Sequence, residues 1–221
     1  MAQDQPSYKE LAQQLRQPNG ALGTQVAEHM ELWNAPLIDL SFEALFCKAS
    51  ERLLEIGFGN GSHIPRWRKQ VADLHYSGID YSASMVELAR ANNRSALEAG
   101  ELQLQEGNLM ELPFQEASFD RIVTINTVYF WPDTLAGLKE LYRVLQPGGR
   151  LVIGLRPKFA VKDLPTVQHG FQLFEAEELE TKLMEAGFEN TGYFLNEEVV
   201  RKVDEKEHLM FGLAVAAHRP A

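Results

Sequence analysis

Short apolar runs alternate with longer stretches of helical period along this chain. Arg52-Leu53-Leu54-Glu55-Ile56 predicts a first strand over 52–56, and it stops abruptly at Gly57-x-Gly59-x-Gly61. Ile64, Trp67 and Val71 then recur on one helical face, with Pro65 in the first turn, where its missing N–H costs little. His75–Asp80 predicts a second strand with Asp80 at its carboxyl end. Ser82 offers an N-cap for a helix carrying Met85, Leu88, Ala89, Asn92 and Ala96 as far as about Ala99. Leu102 and Leu104 mark a third strand. Arg121–Ile125 marks a fourth, whose near-continuous β-branched content says that both faces are buried. Leu135, Leu138, Leu141, Tyr142 and Leu145 give the next helix, and Arg150–Leu155 a fifth strand. Glu175–Ala186 reads as a helix, and Tyr193–Leu195 and Leu209–Ala217 as two closing strands.

Five strand–helix alternations followed by a strand pair predict an α/β fold. The expected sheet is doubly wound, mainly parallel and seven-stranded, with helices on both faces and a C-terminal antiparallel pair. Ahead of it, residues 1–20 are polar and end in the breaker Gln17-Pro18-Asn19-Gly20. Leu22, Val26 and Met30 predict one N-terminal helix, and Leu40, Ala44 and Leu45 a second, separated by Trp33-Asn34-Ala35-Pro36. The chain therefore divides into an N-terminal helical extension, 1–50, and the α/β domain, 51–221. The extension reads equally as plain packing or as a cover for a substrate. Residues 156–174 have no clean period, and a long irregular connection in a compact domain is often functional.

Composition narrows the function. At 221 residues the chain suits one domain with a substantial core. Cys47 is the only cysteine, which excludes an internal disulfide and a cysteine zinc cluster, and no metal site is expected. The formal net charge of −10 disfavours an electrostatic grip on nucleic acid, and Arg66, Arg68 and Lys69 read as a solvated helix face. No apolar run reaches the roughly 18 residues of a membrane span. The N-terminus has no basic start and no apolar signal core, so a cytoplasmic protein is expected.

In open α/β sheets, ligands bind outside the carboxyl ends of the strands. Gly57–Gly61, Asp80–Tyr81, Asn108–Leu109 and Asn126–Tyr129 all fall on that rim. A dinucleotide turn needs G-x-G-x-x-G/A, but Ser62 stands where the third small residue should fall. Glu55, just before the turn, opposes a pyrophosphate and suits an ammonium group. Asp80 is placed to take both hydroxyls of a ribose. A ligand with a ribose, an amino group and no phosphate is S-adenosylmethionine.

Leu53-Leu54-Glu55-Ile56-Gly57-Phe58-Gly59-Asn60-Gly61 resembles motif I of the class I S-adenosylmethionine-dependent methyltransferases. Gly78-Ile79-Asp80-Tyr81-Ser82 with Met85 resembles their second motif, and Glu106-Gly107-Asn108-Leu109 before Leu112-Pro113-Phe114 their third. Ser118-Phe119-Asp120 and Arg143–Arg150 match the flanks of strands 4 and 5. The likeness runs over roughly 50–155 and is nearest to the ubiquinone/menaquinone-biosynthesis-like (type 11) subgroup. It implies a Rossmann-like methyltransferase fold with S-adenosylmethionine as cofactor and S-adenosylhomocysteine as product. It further implies that Gly57, Gly59 and Gly61 lie beneath the cofactor, with Glu55 near its methionine end. Asp80 would chelate the ribose, with Tyr81 and Met85 flanking the adenine. Asn108 would meet the adenine amino group, and Leu109 would offer its backbone N–H to the ring. Asn126 and Thr127 would stand beside the sulfonium.

Methyl transfer from a sulfonium is an in-line displacement, and holding the nucleophile on the methyl axis supplies much of the acceleration. A general base is needed only if the nucleophile must lose a proton. Tyr129 and His63 are the catalytic candidates, with His169 a third. Tyr129-Phe130-Trp131 also reads as the apolar wall of a substrate pocket. The acidic charge and the aromatic loops point to a small-molecule acceptor. An alternative is a pseudoenzyme or regulatory subunit that kept the fold and the cofactor. A nicotinamide-dependent oxidoreductase is a third reading. Neither the acceptor nor the oligomeric state is legible in the residues.

Overall fold

The computed structural model describes residues 6–203 and 206–221. Met1–Gln5, which carry most of the expectation of no leader segment, lie outside them. Two helices come first, α1 (Tyr8–Arg16) and α2 (Gly20–Leu45). β1 (Arg52–Ile56), α3 (Ile64–Gln70), β2 (His75–Asp80), α4 (Ala83–Asn92), α5 (Arg94–Glu98) and β3 (Leu102–Glu106) follow. The second half runs β4 (Phe119–Ile125), α6 (Thr134–Val144), β5 (Leu145–Leu155), α7 (Lys158–Val161), α8 (Ala176–Glu185), β6 (Glu189–Val203) and β7 (Lys206–His218).

The sheet is seven-stranded, in the order β3-β2-β1-β4-β5-β7-β6. Its first five strands pair in parallel, while β7 runs antiparallel to both β5 and β6. The expected architecture is present. β1 has β2 on one side and β4 on the other, so the winding direction reverses between β1 and β4. That switch point opens a crevice at the strands' carboxyl ends. One face buries Ile122, Leu138, Leu141 and Leu179 beneath α6 and α8. The other buries Leu53, Trp67, Val123 and Val152 beneath α2, α3 and α4. No helix among the described residues is long and apolar enough to cross a membrane.

Three departures from the sequence reading have identifiable causes. Residues 8–16 form a helix because Ser7 and Glu10 make a reciprocal capping box, with the Glu10 N–H donating to Ser7 Oγ at 3.3 Å and the Ser7 N–H to Glu10 Oε2 at 2.8 Å. The expected pair of N-terminal helices is one helix of 26 residues with Pro36 inside it. An internal proline costs about 3 kcal/mol. The offset is tertiary: Leu37, Phe42, Ala44 and Leu45 are buried against the sheet, and Arg156 Nη2 donates to the Trp33 carbonyl at 2.9 Å in the turn before the proline. The single helix expected from Ser82 to Ala99 breaks at Asn93, whose Nδ2 donates to the carbonyls of Gly61 and Ala89.

α2 and the sheet are in close contact. A Cβ on Gly154 of β5 would come within 2.2 Å of Ser41 Oγ on α2, so the strand is glycine where the helix crosses it. The C-terminal half of α2 is thus part of the domain's own core, while α1 and the N-terminal half project over the rim. The irregular connection at 156–174 contains α7 and a 3-10 turn at Pro165–Gln168.

Candidate active site

Each glycine of the first turn adopts a positive φ, +77° at Gly57, +58° at Gly59 and +64° at Gly61, where a side chain is strained. Their surroundings differ. A Cβ on Gly57 would lie 2.3 Å from Thr127 Cγ2, and one on Gly61 would lie 2.9 Å from Ala89 Cβ. These two glycines let loop and helix approach. A Cβ on Gly59 would meet no atom within 4 Å, although Gly59 lines a large cavity. That position is open towards a ligand.

The next strand closes the turn. The Gly57 N–H donates to the Ile79 carbonyl at 2.7 Å, and the Gly59 N–H donates to Asp80 Oδ2 at 2.8 Å. Asp80 Oδ1 accepts from the Ser82 N–H, also at 2.8 Å. The carboxylate keeps accepting capacity beyond these backbone bonds, as binding a hydroxyl of a diol requires. Asp80 is 8% exposed, and burial pushes its pKa from 3.8 up to about 6, with the nearby Glu55 charge adding to the rise against the lowering backbone bonds.

The sign follows from the proton count. Between these two values the folded state holds a proton that the unfolded chain has lost, so this group's contribution to stability falls as pH rises from about 4 to 6. A diol is held by the ionised form. Titration calorimetry is therefore expected to show an S-adenosylhomocysteine affinity that is flat above about pH 7. Below about pH 6 it weakens by up to about tenfold per unit.

Glu55 lines the cavity but is not free to turn into it unaided. Its Oε2 accepts from the Tyr76 hydroxyl at 2.5 Å and is 2.9 Å from His63 Nε2, with 1% of the residue exposed. A buried carboxylate needs such donors. Burial, followed by the Glu55 charge, holds the Tyr76 hydroxyl well above its ordinary pKa. His63 also stands edge-on to Trp67, with centroids 4.5 Å apart.

At the other end, Tyr81 is 58% exposed at the cavity rim, whereas Met85 is buried beside it. Asn108 Oδ1 accepts from the Met110 N–H at 3.0 Å, which shapes the loop, and Leu109 packs into the core. After β4, Asn126 takes a left-handed φ of +56° and its N–H donates to the Gly154 carbonyl. Thr127 Oγ1 hydrogen-bonds to Thr124 Oγ1 and accepts from Trp131 Nε1 at 3.1 Å. The buried Tyr129 hydroxyl accepts from the Arg156 N–H at 2.5 Å and donates to Asn126 Oδ1 at 3.1 Å, and burial raises its pKa. For both residues named as bases, the proton-accepting atom considered is already engaged. His169 is exposed and not among the cavity's lining residues.

The cavity holds about 1190 Å³, beyond the roughly 300–1,000 Å³ of a pocket for one drug-sized ligand. It extends from the glycine turn to Trp33, Phe130 and Phe171, and all eleven residues expected to bind the cofactor are in its lining except Gly61. Gly61 instead packs α3 against α4. The roof was not legible in the sequence: the Ser82 hydroxyl donates to the Pro18 carbonyl at 2.5 Å, and Asn60 Nδ2 donates to Glu31 Oε2 at 2.9 Å. Tyr76 was also missed. Its signal is the register Leu53↔Tyr76, which puts it diagonal to Glu55, and a parallel register is not readable from one strand.

Comparison with known proteins gives the same reading. Residues 54–153 match the family described as Methyltransferase domain (Methyltransf_11). The uncharacterized methyltransferase YdaC of Bacillus subtilis is 31% identical over 127 residues, which are 58% of this chain and 68% of that protein. The chain belongs to the type 11 methyltransferase family.

It is a class I methyltransferase with S-adenosylmethionine as its cofactor. The ubiquinone/menaquinone biosynthesis C-methyltransferase UbiE of Geotalea daltonii is 35% identical over 46% of this chain, but that match spans only 44% of the UbiE protein. Among solved structures, the complex of the Haloferax volcanii Trm112 methyltransferase activator with a putative methyltransferase matches with a TM-score of 0.75. The match covers 88% of this chain and 93% of that one at 18% identity, a likeness of fold. The site's residues fit the cofactor: Gly59 leaves an open cradle, and the Asp80 carboxylate lines the cavity beside it.

Proposed function

We propose that this methyltransferase acts on a small, largely apolar acceptor held in the covered chamber beyond the glycine turn. The observation that carries this reading is the cavity itself, which has room for a second ligand and is walled by Trp33, Phe130 and Phe171. S-adenosylmethionine supplies a methyl group already activated on a sulfonium.

The chain's own task is then to bind, orient and exclude water. Asp80 takes the ribose hydroxyls, with Tyr81, Met85, Asn108 and Leu109 bordering the adenine. The turn Gly57–Gly61 and Glu55 border the methionine end, with His63 and Tyr76 holding the Glu55 carboxylate. Thr127, pinned by Thr124 and Trp131, fixes the loop after β4 against Gly57. Asn126 and Tyr129 are tied to each other and to Arg156. Tyr129 thus works by position, and an acceptor whose attacking atom needs no strong base suits the site. Of the extension, α1 and the N-terminal half of α2 serve as the cover over the rim, and the C-terminal half of α2 anchors them to β5. A fixed near-attack geometry in a water-poor chamber is where a displacement gains most.

Incubating the intact protein with methyl-tritiated S-adenosylmethionine and a mixed small-molecule extract tests this proposal. Label is expected in the low-mass, solvent-extractable fraction. Label confined to added protein or RNA would contradict it.

A further inference from the structure

The cavity is unevenly charged. Of its lining carboxylates, Glu55 and Asp80 rise from β1 and β2, and Glu31 is bonded to Asn60 beside the glycine turn. All three therefore stand on the cofactor side. Away from the glycine turn the lining carries guanidinium groups instead, Arg156 just after β5 and Arg201 on β6, with Arg16 lining the cavity from α1.

These arginines differ. Arg156 is satisfied within the protein: its Nη1 lies 2.6 Å from Glu198, whose side chain is 1% exposed, and it also bonds the carbonyls of Phe211 and Trp33. Arg201 lies over the Trp33 ring at 5.2 Å from the centroid and makes no ion pair among the described residues. Val203 and Met210 of the same β6–β7 hairpin line the cavity with it, as do Trp33 on α2 and His29, whose ring is 4.9 Å from that of Trp33. In a chain of net charge −10, Arg201 thus lines the cavity without an ion pair among the described residues, on the far side from Glu55, Asp80 and Glu31.

We propose that the methyl acceptor is a small organic acid, with its apolar body against Trp33 and Phe171 and its carboxylate on Arg201. A planar guanidinium matches a carboxylate through two parallel hydrogen bonds, and Trp33 beneath it restricts its orientation. The apolar surroundings strengthen the attraction relative to water. A cationic acceptor would meet a like charge there, with Glu55, Asp80 and Glu31 on the far side. This assignment rests on the small-molecule methyltransferase reading above. Arg201 is a substrate-orienting residue in it and touches no part of the cofactor site.

The test uses two matched pairs, 4-hydroxybenzoate with 4-hydroxybenzamide and 4-hydroxycinnamate with its amide. Each is titrated into the intact protein loaded with S-adenosylhomocysteine. At least one acid is expected to bind about tenfold or more tighter than its amide, the size of one charge-assisted contact. Arg201→Gln is expected to bring the acid down to the level of the amide, and Arg201→Lys to retain part of the preference. Both variants are expected to bind S-adenosylhomocysteine within about twofold of the parent protein, which separates a lost acceptor contact from misfolding. Equal binding of acid and amide would overturn the proposal. So would a preference that survives Arg201→Gln, or no binding of any probe by a protein that does bind S-adenosylhomocysteine. Failure of the methyltransferase reading itself would show differently, as no S-adenosylhomocysteine binding at all.

Discussion

Asp80→Ala is expected to weaken S-adenosylhomocysteine binding by about 100-fold or more, because two hydrogen bonds to a charged acceptor are lost at about 1.5–3 kcal/mol each. The loss has a second source. The same carboxylate accepts from the N–H groups of Gly59 and Ser82, so its removal also frees the turn that it holds shut. Asp80→Asn separates these effects. It keeps one acceptor oxygen and nearly the same volume but carries no charge, so it is expected to recover part of the affinity. It is also expected to lose the weakening below about pH 6 that the parent shows. Titration calorimetry at two pH values reads both outcomes. An Asp80→Ala protein that binds as tightly as the parent would remove Asp80 from the ribose site.

Gly57→Ala and Gly59→Ala are expected to fail in different ways. At Gly57 the new Cβ meets Thr127 Cγ2 at 2.3 Å, and Thr127 is held by Thr124 and Trp131, so it has little room to move. The left-handed backbone adds about 1–2 kcal/mol of its own, and overpacking typically adds about 1–3 kcal/mol. A large fall in the thermal midpoint is expected. Thr127→Ser in the same chain is expected to restore part of it, since serine keeps the hydroxyl and lacks the methyl. At Gly59 the Cβ meets no protein atom, so stability is expected to fall by only the backbone term, about 1–2 kcal/mol. Cofactor affinity is expected to fall there by about tenfold or more, as for any contact of about 1.4 kcal/mol that is displaced. A Gly59→Ala protein with intact affinity would place the cofactor elsewhere in the cavity.

The parts of the site that were legible in the sequence are the parts built from one strand end and its loop. Glu55 with the three glycines, Asp80 with its cap Ser82, and Asn126 with Thr127 each announce themselves locally, because turn chemistry and strand period are short-range. The N-terminal helices are different. Pro36 reads as a breaker, yet α2 continues through it, since burial of Leu37, Phe42 and Leu45 and the bond from Arg156 outweigh the proline's cost. α1 did carry a local signal, the Ser7–Glu10 capping box, which a reading for apolar period passes over. Tyr76 and Arg156 act through partners far along the chain: Tyr76 reaches Glu55, and Arg156 reaches Trp33 and Glu198. Such contacts follow from register and topology, which no local window contains. The sequence therefore showed which loops line the cavity, the aromatic run Tyr129-Phe130-Trp131 included, but not the long-range contacts that arrange them.

The central claim is that the rim of β1, β2 and β4 holds a sulfonium nucleoside rather than a dinucleotide. Isothermal titration of S-adenosylhomocysteine and of NAD into the same preparation of the intact protein tests it most directly. The expected result is saturable one-to-one binding of S-adenosylhomocysteine and no heat from NAD. Absence of S-adenosylhomocysteine binding, or NAD binding of comparable strength, would contradict it.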